Sequence, residues 1–405
     1  MKIGILTFHS QLNYGGVLQC WALQVALKKM GHDVVVIDRW QEAGNSLLER
    51  GFNRFGKLLW TRFLVRSMFG LGDWNWFERV RRTKKFIRKR LLLTPYHFVD
   101  WKDAPKDLGV DLLVVGSDQV WHCGTFGDPR AYLLDGAPDI PAIAYAASFG
   151  FAEIPRFLGI GNAPLAEVES EPAYRRGLAK FKAISCREAE GVSICRKLGF
   201  NATHVVDPTL LTFWSDSRNE RISSANTDEN RESGCLVCYF MSESLEENFD
   251  ALEQFARRNG CRVKIFLNSR MQLSMPTRPA KARRWLRHLG RKAFSRIGVL
   301  DWAGPQDFFD AFKGARWVVS DSFHALMFSI CNGCNVRIVR PTTEYRRQMF
   351  SRIEEFADHA DGPLVADSVD DALESLSKGE LVRFDSSWLS ARREESLNWL
   401  ERALT

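Results

Sequence analysis

Two periods of apolar residues alternate along this chain. Ile3 to Phe8 form an unbroken apolar run, and after the loop HSQLNYGG the segment VLQCWALQVALKKMG carries its apolar residues at helical spacing. VVVID, residues 34–38, closes a βαβ unit. Further buried strands are expected at 111–116 (DLLVVG), 142–148 (AIAYAAS), 183–185 (AIS) and 203–206 (THVV). Runs that stay apolar at successive positions suit a parallel sheet covered on both faces.

From Ser215 to Ser233 the pattern is lost: SDSRNERISSANTDENRES is polar almost throughout and reads as an exposed linker or loop. The alternation then resumes with CLVCYFM, an amphipathic helix from Leu245 to Arg258, the strand VKIFL, the strand WVVS and the strand VRIV. The fold class is therefore α/β, with an N-terminal half over 1–214, a linker over 215–233 and a second α/β half over 234–378. Over 379–405 a terminal helix is expected to pack back, with Leu389, Leu397, Trp399, Leu400 and Ala403 on its apolar face.

With 405 residues and 45% hydrophobic content the chain can bury two cores, and no apolar stretch is long enough to span a membrane. MKIGILTF enters a strand directly, without an h-region or cleavage site, so a cytoplasmic protein is expected. Nine scattered cysteines read as reduced thiols rather than a disulfide scaffold. Two of their pairings have CxxC spacing. Cys235 and Cys238 fall in a strand, where they point to opposite faces; Cys331 and Cys334 fall in a turn, and no metal site is expected from either.

The net charge of +7 matters for its placement. Between Gly51 and Arg90 stand twelve Lys or Arg against Asp73 and Glu78, interleaved with Phe and Trp. A second basic segment, Arg270 to Arg296, holds no acid. Such stretches suit an anionic membrane surface better than nucleic acid, the remaining reading being a helical insertion with solvated charges.

In an open α/β sheet, ligands bind at the strands' C-terminal tips. Polar residues recur there: Asn13 and Tyr14 with two glycines, Ser117, Asp118 and Gln119, Ser148, Arg187 and Glu188, Asp207, and Asp321 to His324. The loop NYGG matches no dinucleotide or Walker pattern; it is either a tight turn or an anion-binding helix start. An arginine after a buried strand, as Arg187 is, pairs either with Glu188 or Asp207 or with an anionic ligand. In VVSDSFHALMF, Asp321 or Ser322 is the expected N-cap, and His324 lies in the first helical turn beside the apolar stripe. There it is either a core histidine or one that carries a proton while an anion is bound, as a general acid must.

MKIGILTFHSQLNYGGVLQCWALQ, DLLVVGSDQVWH, AYAASFG, SCREAEG, VVDPTLL and SDSFHALMFS occur in this order, and together they resemble the polysaccharide pyruvyl transferase family. The resemblance implies two Rossmann-like domains facing across a cleft, similar to glycosyltransferases of the B type. It also implies transfer of the pyruvyl group of phosphoenolpyruvate onto two hydroxyls of a cell-surface or capsular glycan, lipid-linked in many cases, giving a cyclic ketal and phosphate. No cofactor is implied beyond phosphoenolpyruvate as co-substrate, and the enzyme would work at the inner face of the membrane.

By motif, Arg187 in SCRE matches the donor-binding arginine and His324 in SFH the acid or base. Members of the family that read Arg-Leu-His at the second place use that arginine on the donor too. This chain has Ser322-Phe323-His324, so the second cation is sought in Arg340, Arg346 and Arg347, with Ser322 beside the donor. Asn13, Tyr14, Asp118 and Gln119 are the acceptor-side candidates. The rival readings are a B-type glycosyltransferase using a nucleotide-sugar and, from another class, a basic nucleic-acid-binding protein.

Overall fold

The structure, a computed structural model, describes all residues except 11, 41–73, 124–127, 161–162, 214–233, 242–244, 269–295, 342–346 and 348–349. The expected linker and the second basic segment, save Arg296, lie outside the described residues, as does Arg346. The chain forms two compact units, Met1–Thr212 with Arg392–Thr405, and Phe213–Ala391.

The first unit contains β1 (Lys2–Leu6), α1 (Tyr14–Lys29), β2 (Asp33–Arg39), α2 (Trp74–Arg90), β3 (Leu93–Phe98), β4 (Leu112–Val115), β5 (Ala142–Ala147), a hairpin of β6 (Phe157–Ile160) and β7 (Ala163–Glu169), α3 (Ser170–Leu178), β8 (Ala183–Cys186), α4 (Ala189–Lys197), β9 (Thr203–His204) and α5 (Pro208–Phe213). Its sheet has the order β3-β2-β1-β4-β5-β8-β9, parallel at every pairing. β4 and β5 are buried at every residue, which explains their unbroken apolar runs. The pattern reading missed β3, which holds Pro95; the strand lies at the sheet edge, where a missing N–H costs no ladder bond.

The second unit continues with β10 (Cys235–Phe240), α6 (Leu245–Arg258), β11 (Arg262–Leu267), β12 (Ile297–Leu300), α7 (Pro305–Lys313), β13 (Trp317–Ser320), α8 (Phe323–Asn332), β14 (Asn335–Val339), α9 (Ser351–Asp358), β15 (Ala360–Asp361), β16 (Val365–Ala366), α10 (Val369–Ser377), β17 (Arg383–Phe384) and α11 (Ser386–Leu404). Its parallel sheet has the order β12-β11-β10-β13-β14-β16. Both sheets thus have the Rossmann arrangement, in which strand order reverses at a switch point: between β1 and β4 in one, between β10 and β13 in the other.

Two details show how each unit is held. From Arg392 onward α11 belongs to the first unit, burying Trp399, Leu400 and Leu404, while Ser396 Oγ accepts a hydrogen bond from Val206 N at 3.0 Å. In the second unit Arg337, in the middle of β14, is fully buried. Its guanidinium donates to Ser375 Oγ, Asn335 Oδ1 and the carbonyls of Val336 and Glu380, and burial pushes it down to about 10. It stays charged at neutral pH because those four acceptors replace water.

All nine cysteines are free and buried. Among the described residues no cluster of His, Cys, Asp and Glu could hold a metal, and no helix is long and apolar enough to cross a membrane.

Candidate active site

In the first unit the loops after β1 and β4 flank the switch point, and their polar residues bind one another. Thr7 Oγ1 donates to Ser117 O at 2.6 Å, and Gln19 Nε2, from α1, lies 3.0 Å from Thr7 Oγ1 and 2.8 Å from Gly16 O. Ser117 Oγ is 3.1 Å from Gln19 Oε1 and 3.3 Å from Asp207 Oδ2. Asp207 Oδ1 caps the turn into α5 through Thr209 N and Oγ1. Arg187 completes the chain of contacts: Nη1 donates to Asp207 Oδ2 at 3.1 Å, and Asp118 and Glu188 stand at 3.7 and 4.0 Å.

This pairing is the local one of the two open to Arg187. Its side chain is 1% exposed. Burial works against the guanidinium charge, but the three carboxylates outweigh it and hold the group above its ordinary range.

The four acceptor-side residues are drawn into the same structure. Asn13 is the N-cap of α1, its Oδ1 accepting from Gly15 N at 2.9 Å and Gly16 N at 3.4 Å, so the glycine N–H groups of the NYGG loop bind this side chain. Tyr14 is buried with the Arg79 guanidinium 4.6 Å above its ring. Asp118 has a left-handed φ of 81°, held by its Oδ1 accepting from Gln119 N and by its carbonyl accepting from Ser148 N. That conformation is tolerated best by Asn and Asp and marks a residue fixed by its surroundings. Gly16 makes room for it, since a Cβ there would stand 3.2 Å from Asp118 Oδ2. Gln119 packs on Gly150, which has φ +70° and whose added Cβ would lie 2.5 Å from Gln119 Nε2.

At the switch point of the second unit, Asp321 Oδ1 accepts from Met241 N at 2.5 Å and so ties the loop after β13 to the loop after β10. Ser320 Oγ binds Tyr239 O and accepts from Ser322 N, turning the chain sharply out of the sheet. Ser322 is the N-cap of α8 by backbone geometry, without a capping side-chain bond. His324 then falls in the first turn, 8% exposed and edge-on to Phe323 at 5.7 Å.

Of the later arginines, Arg340 is held by Glu354 Oε1 at 3.2 Å and lies 3.5 Å from Asp367 Oδ1. Arg347 is exposed and donates to Pro341 O. Arg352, on α9, was not singled out by the motif: its guanidinium lies 5.2 Å from the ring of Phe323, the neighbour of His324. No sequence signal separates it from other arginines, because its relation to His324 arises from the packing of α9 beside the first turn of α8.

Two sheets of this topology, with a buried histidine at one switch point and an arginine among carboxylates at the other, provide the frame for the matches to known proteins. The model of the polysaccharide pyruvyl transferase family matches residues 13–342. The chain belongs to that family. The match takes in α1, β4, the SCRE and SFH motifs and the switch point of the second unit, and begins after β1. Among curated proteins there is no match.

Solved structures with similar coordinates include the UDP-GlcNAc 2-epimerase from Methanocaldococcus jannaschii, with 10% identity, 93% of this chain and 92% of that one covered, and a TM-score of 0.47. The UDP-N-acetylglucosamine 2-epimerase from Rickettsia bellii has 10% identity, coverage of 100% and 95%, and a TM-score of 0.47. MurG of Acinetobacter baumannii has 9% identity, coverage of 98% and 94%, and a TM-score of 0.39.

Proposed function

We propose that this member of the family transfers the pyruvyl group of phosphoenolpyruvate onto two hydroxyls of one sugar in a cell-surface glycan, forming a cyclic ketal. The observation that carries the reading is His324 in the first turn of α8, at the C-terminal end of β13 and beside the switch point of its sheet. The family supplies the coarser statement, a polysaccharide pyruvyl transferase; the donor and the ketal are our reading.

In this reading His324 delivers a proton to the methylene carbon of phosphoenolpyruvate, so that C2 gains oxocarbenium character and one sugar hydroxyl bonds to it. A second hydroxyl then bonds to C2 as the C2–O bond to phosphate breaks. One hydroxyl proton replaces the proton spent on the methyl group; the other leaves with phosphate. General acid catalysis of this kind supplies about 10² to 10⁴ in rate, and holding the diol and donor in place supplies much of the rest.

Donor anchoring is assigned to Ser322 and to a cation near His324; Arg187 keeps its place as a donor-binding candidate on its motif alone, since three carboxylates already meet its charge. For that cation Arg352 joins Arg340 and Arg347 as a candidate, because its guanidinium lies 5.2 Å from the ring of Phe323. Arg346 keeps its place as a candidate on sequence grounds. Asn13, Tyr14, Asp118 and Gln119 are assigned to the acceptor side, with Asn13 and Tyr14 acting through the shape of the α1 entry rather than by presenting free groups. No cofactor is part of the proposal.

The test is to incubate the protein with phosphoenolpyruvate and candidate lipid-linked or capsular sugars and to follow phosphate release together with the mass of the sugar. A glycan that gains a pyruvyl ketal as phosphate appears supports the reading. Stabilisation by a nucleoside diphosphate, with no response to phosphoenolpyruvate, would favour a nucleotide-sugar enzyme.

A further inference from the structure

α2 has two opposite faces. Arg79, Thr83 and Phe86 are buried on one of them. That face lies against α1 and the loop before it: Phe86 meets Trp21 edge-on at 5.6 Å, Arg79 lies over Tyr14 and donates to Leu12 O, and Arg90 lies over Trp21 at 5.1 Å. The other face is a stripe at positions 77, 80, 81, 84, 85, 88 and 89, the i, i+3, i+4, i+7 spacing of one helical side. It begins with Phe77 and Val80 and continues with Arg81, Lys84, Lys85, Arg88 and Lys89, which line an open groove of about 560 Å³.

Three cations of this stripe have no ion pair among the described residues. Glu78, the acid of α2, binds Arg81 and Arg82 at 2.6 to 2.7 Å. Lys85, Arg88 and Lys89 are exposed and form no ion pair with a described residue. Lys84 is held below its ordinary range by burial and by the charge of Arg88, a strain that a nearby anion relieves. Leu92, two residues beyond α2, is 45% exposed and one of three large apolar side chains left that open among the described residues.

We propose that this face of α2 docks the protein on a bilayer containing anionic phospholipid, with Lys84, Lys85, Arg88 and Lys89 among the headgroup phosphates. A row of cations matches a polyanion of either kind, but apolar side chains at both ends of the row favour lipid: Phe77 and Val80 precede it and Leu92 follows it. A nucleic-acid backbone offers such groups no burial. The inference is independent of the pyruvyl-transfer reading and stands or falls without it.

The full chain is mixed with vesicles of phosphatidylcholine containing phosphatidylglycerol, and with vesicles of phosphatidylcholine alone, then sedimented. Cosedimentation with the anionic vesicles only, weakening as salt is raised, is the expected result. The variant Lys85→Gln/Arg88→Gln/Lys89→Gln should lower the partition about a hundredfold, at about fivefold per cation. A control with the same charge change at exposed sites, Lys28→Gln/Lys29→Gln/Lys102→Gln, should retain it.

Equal binding by the α2 variant and the wild type would overturn the proposal, as would equal loss in both variants. So would binding to neutral vesicles alone. If duplex or single-stranded nucleic acid displaced the vesicles, and the α2 variant lost nucleic-acid binding rather than lipid binding, the face would belong to the other class of partner.

Discussion

Arg187 Nη1 donates to Asp207 Oδ2 at 3.1 Å, joining the tip of β8 to the residue that opens α5. Asp207 in turn holds Thr209 and lies beside Ser117, so one side chain at 1% exposure ties three strand tips together. Removing the cation leaves Asp207, Asp118 and Glu188 buried near one another. Arg187→Ala should therefore cost about 3 to 5 kcal/mol in denaturant unfolding, whatever its part in catalysis. Arg187→Lys should keep more of that stability, and a rise in the KM for phosphoenolpyruvate in that variant would be the separate sign of donor contact.

His324 is tested by kcat. His324→Ala should lower it by about 10² to 10⁴ while the circular dichroism spectrum keeps its wild-type form, and His324→Gln, which fills more of the same buried space, should lower it as well. Turnover at the wild-type rate would remove the side chain from the chemistry.

Arg352 and Arg340 give opposite expectations. With Arg352 over Phe323, Arg352→Met should raise the KM for phosphoenolpyruvate by roughly tenfold, corresponding to the loss of one charge-assisted hydrogen bond. Arg340→Met removes a surface cation paired to Glu354 and should leave that KM within about twofold. The reverse result would return the second donor cation to the segment after β14.

The fold was legible because buried parallel strands are unbroken apolar runs and the helices between them are amphipathic. LLVV, AIAYAA, CLVCYF and WVVS all lie in strands within a residue or two of the expected ends. β3 was not legible, because Pro95 and the polar residues around it hide an edge strand. At the site, sequence located the strand tips but not what their side chains hold. Ser117 meets Gln19 and Asp207 across separations of 98 and 90 residues, and Asn13, a sugar-binding candidate by position, spends its carbonyl oxygen on the α1 cap. Arg352 escaped for the same reason: only packing brings α9 to Phe323.

Acid should weaken α2 through one carboxylate. The hydrogen bond from Arg81 holds Glu78 at about 2 against the opposing effect of burial, with Arg82 adding to the lowering. Because the folded value is depressed, the contribution is complete above about 4.5 and is lost as the pH falls through about 2. On a surface helix it amounts to less than about 1 kcal/mol. Glu78→Gln should remove that part of the stability change between pH 5 and pH 2, read from melting curves. It should also raise the partition onto anionic vesicles about fivefold, by leaving Arg81 and Arg82 uncompensated.

The most direct measurement is a single-pot assay of phosphate release and acceptor mass with phosphoenolpyruvate and a panel of glycan acceptors. Our account predicts one phosphate for each pyruvyl group gained by a sugar, in a product whose two bridged hydroxyls are no longer free, and both products formed at least about a hundredfold more slowly with His324→Ala. Phosphate release without a ketal, or a ketal formed unchanged by the His324→Ala protein, would contradict it.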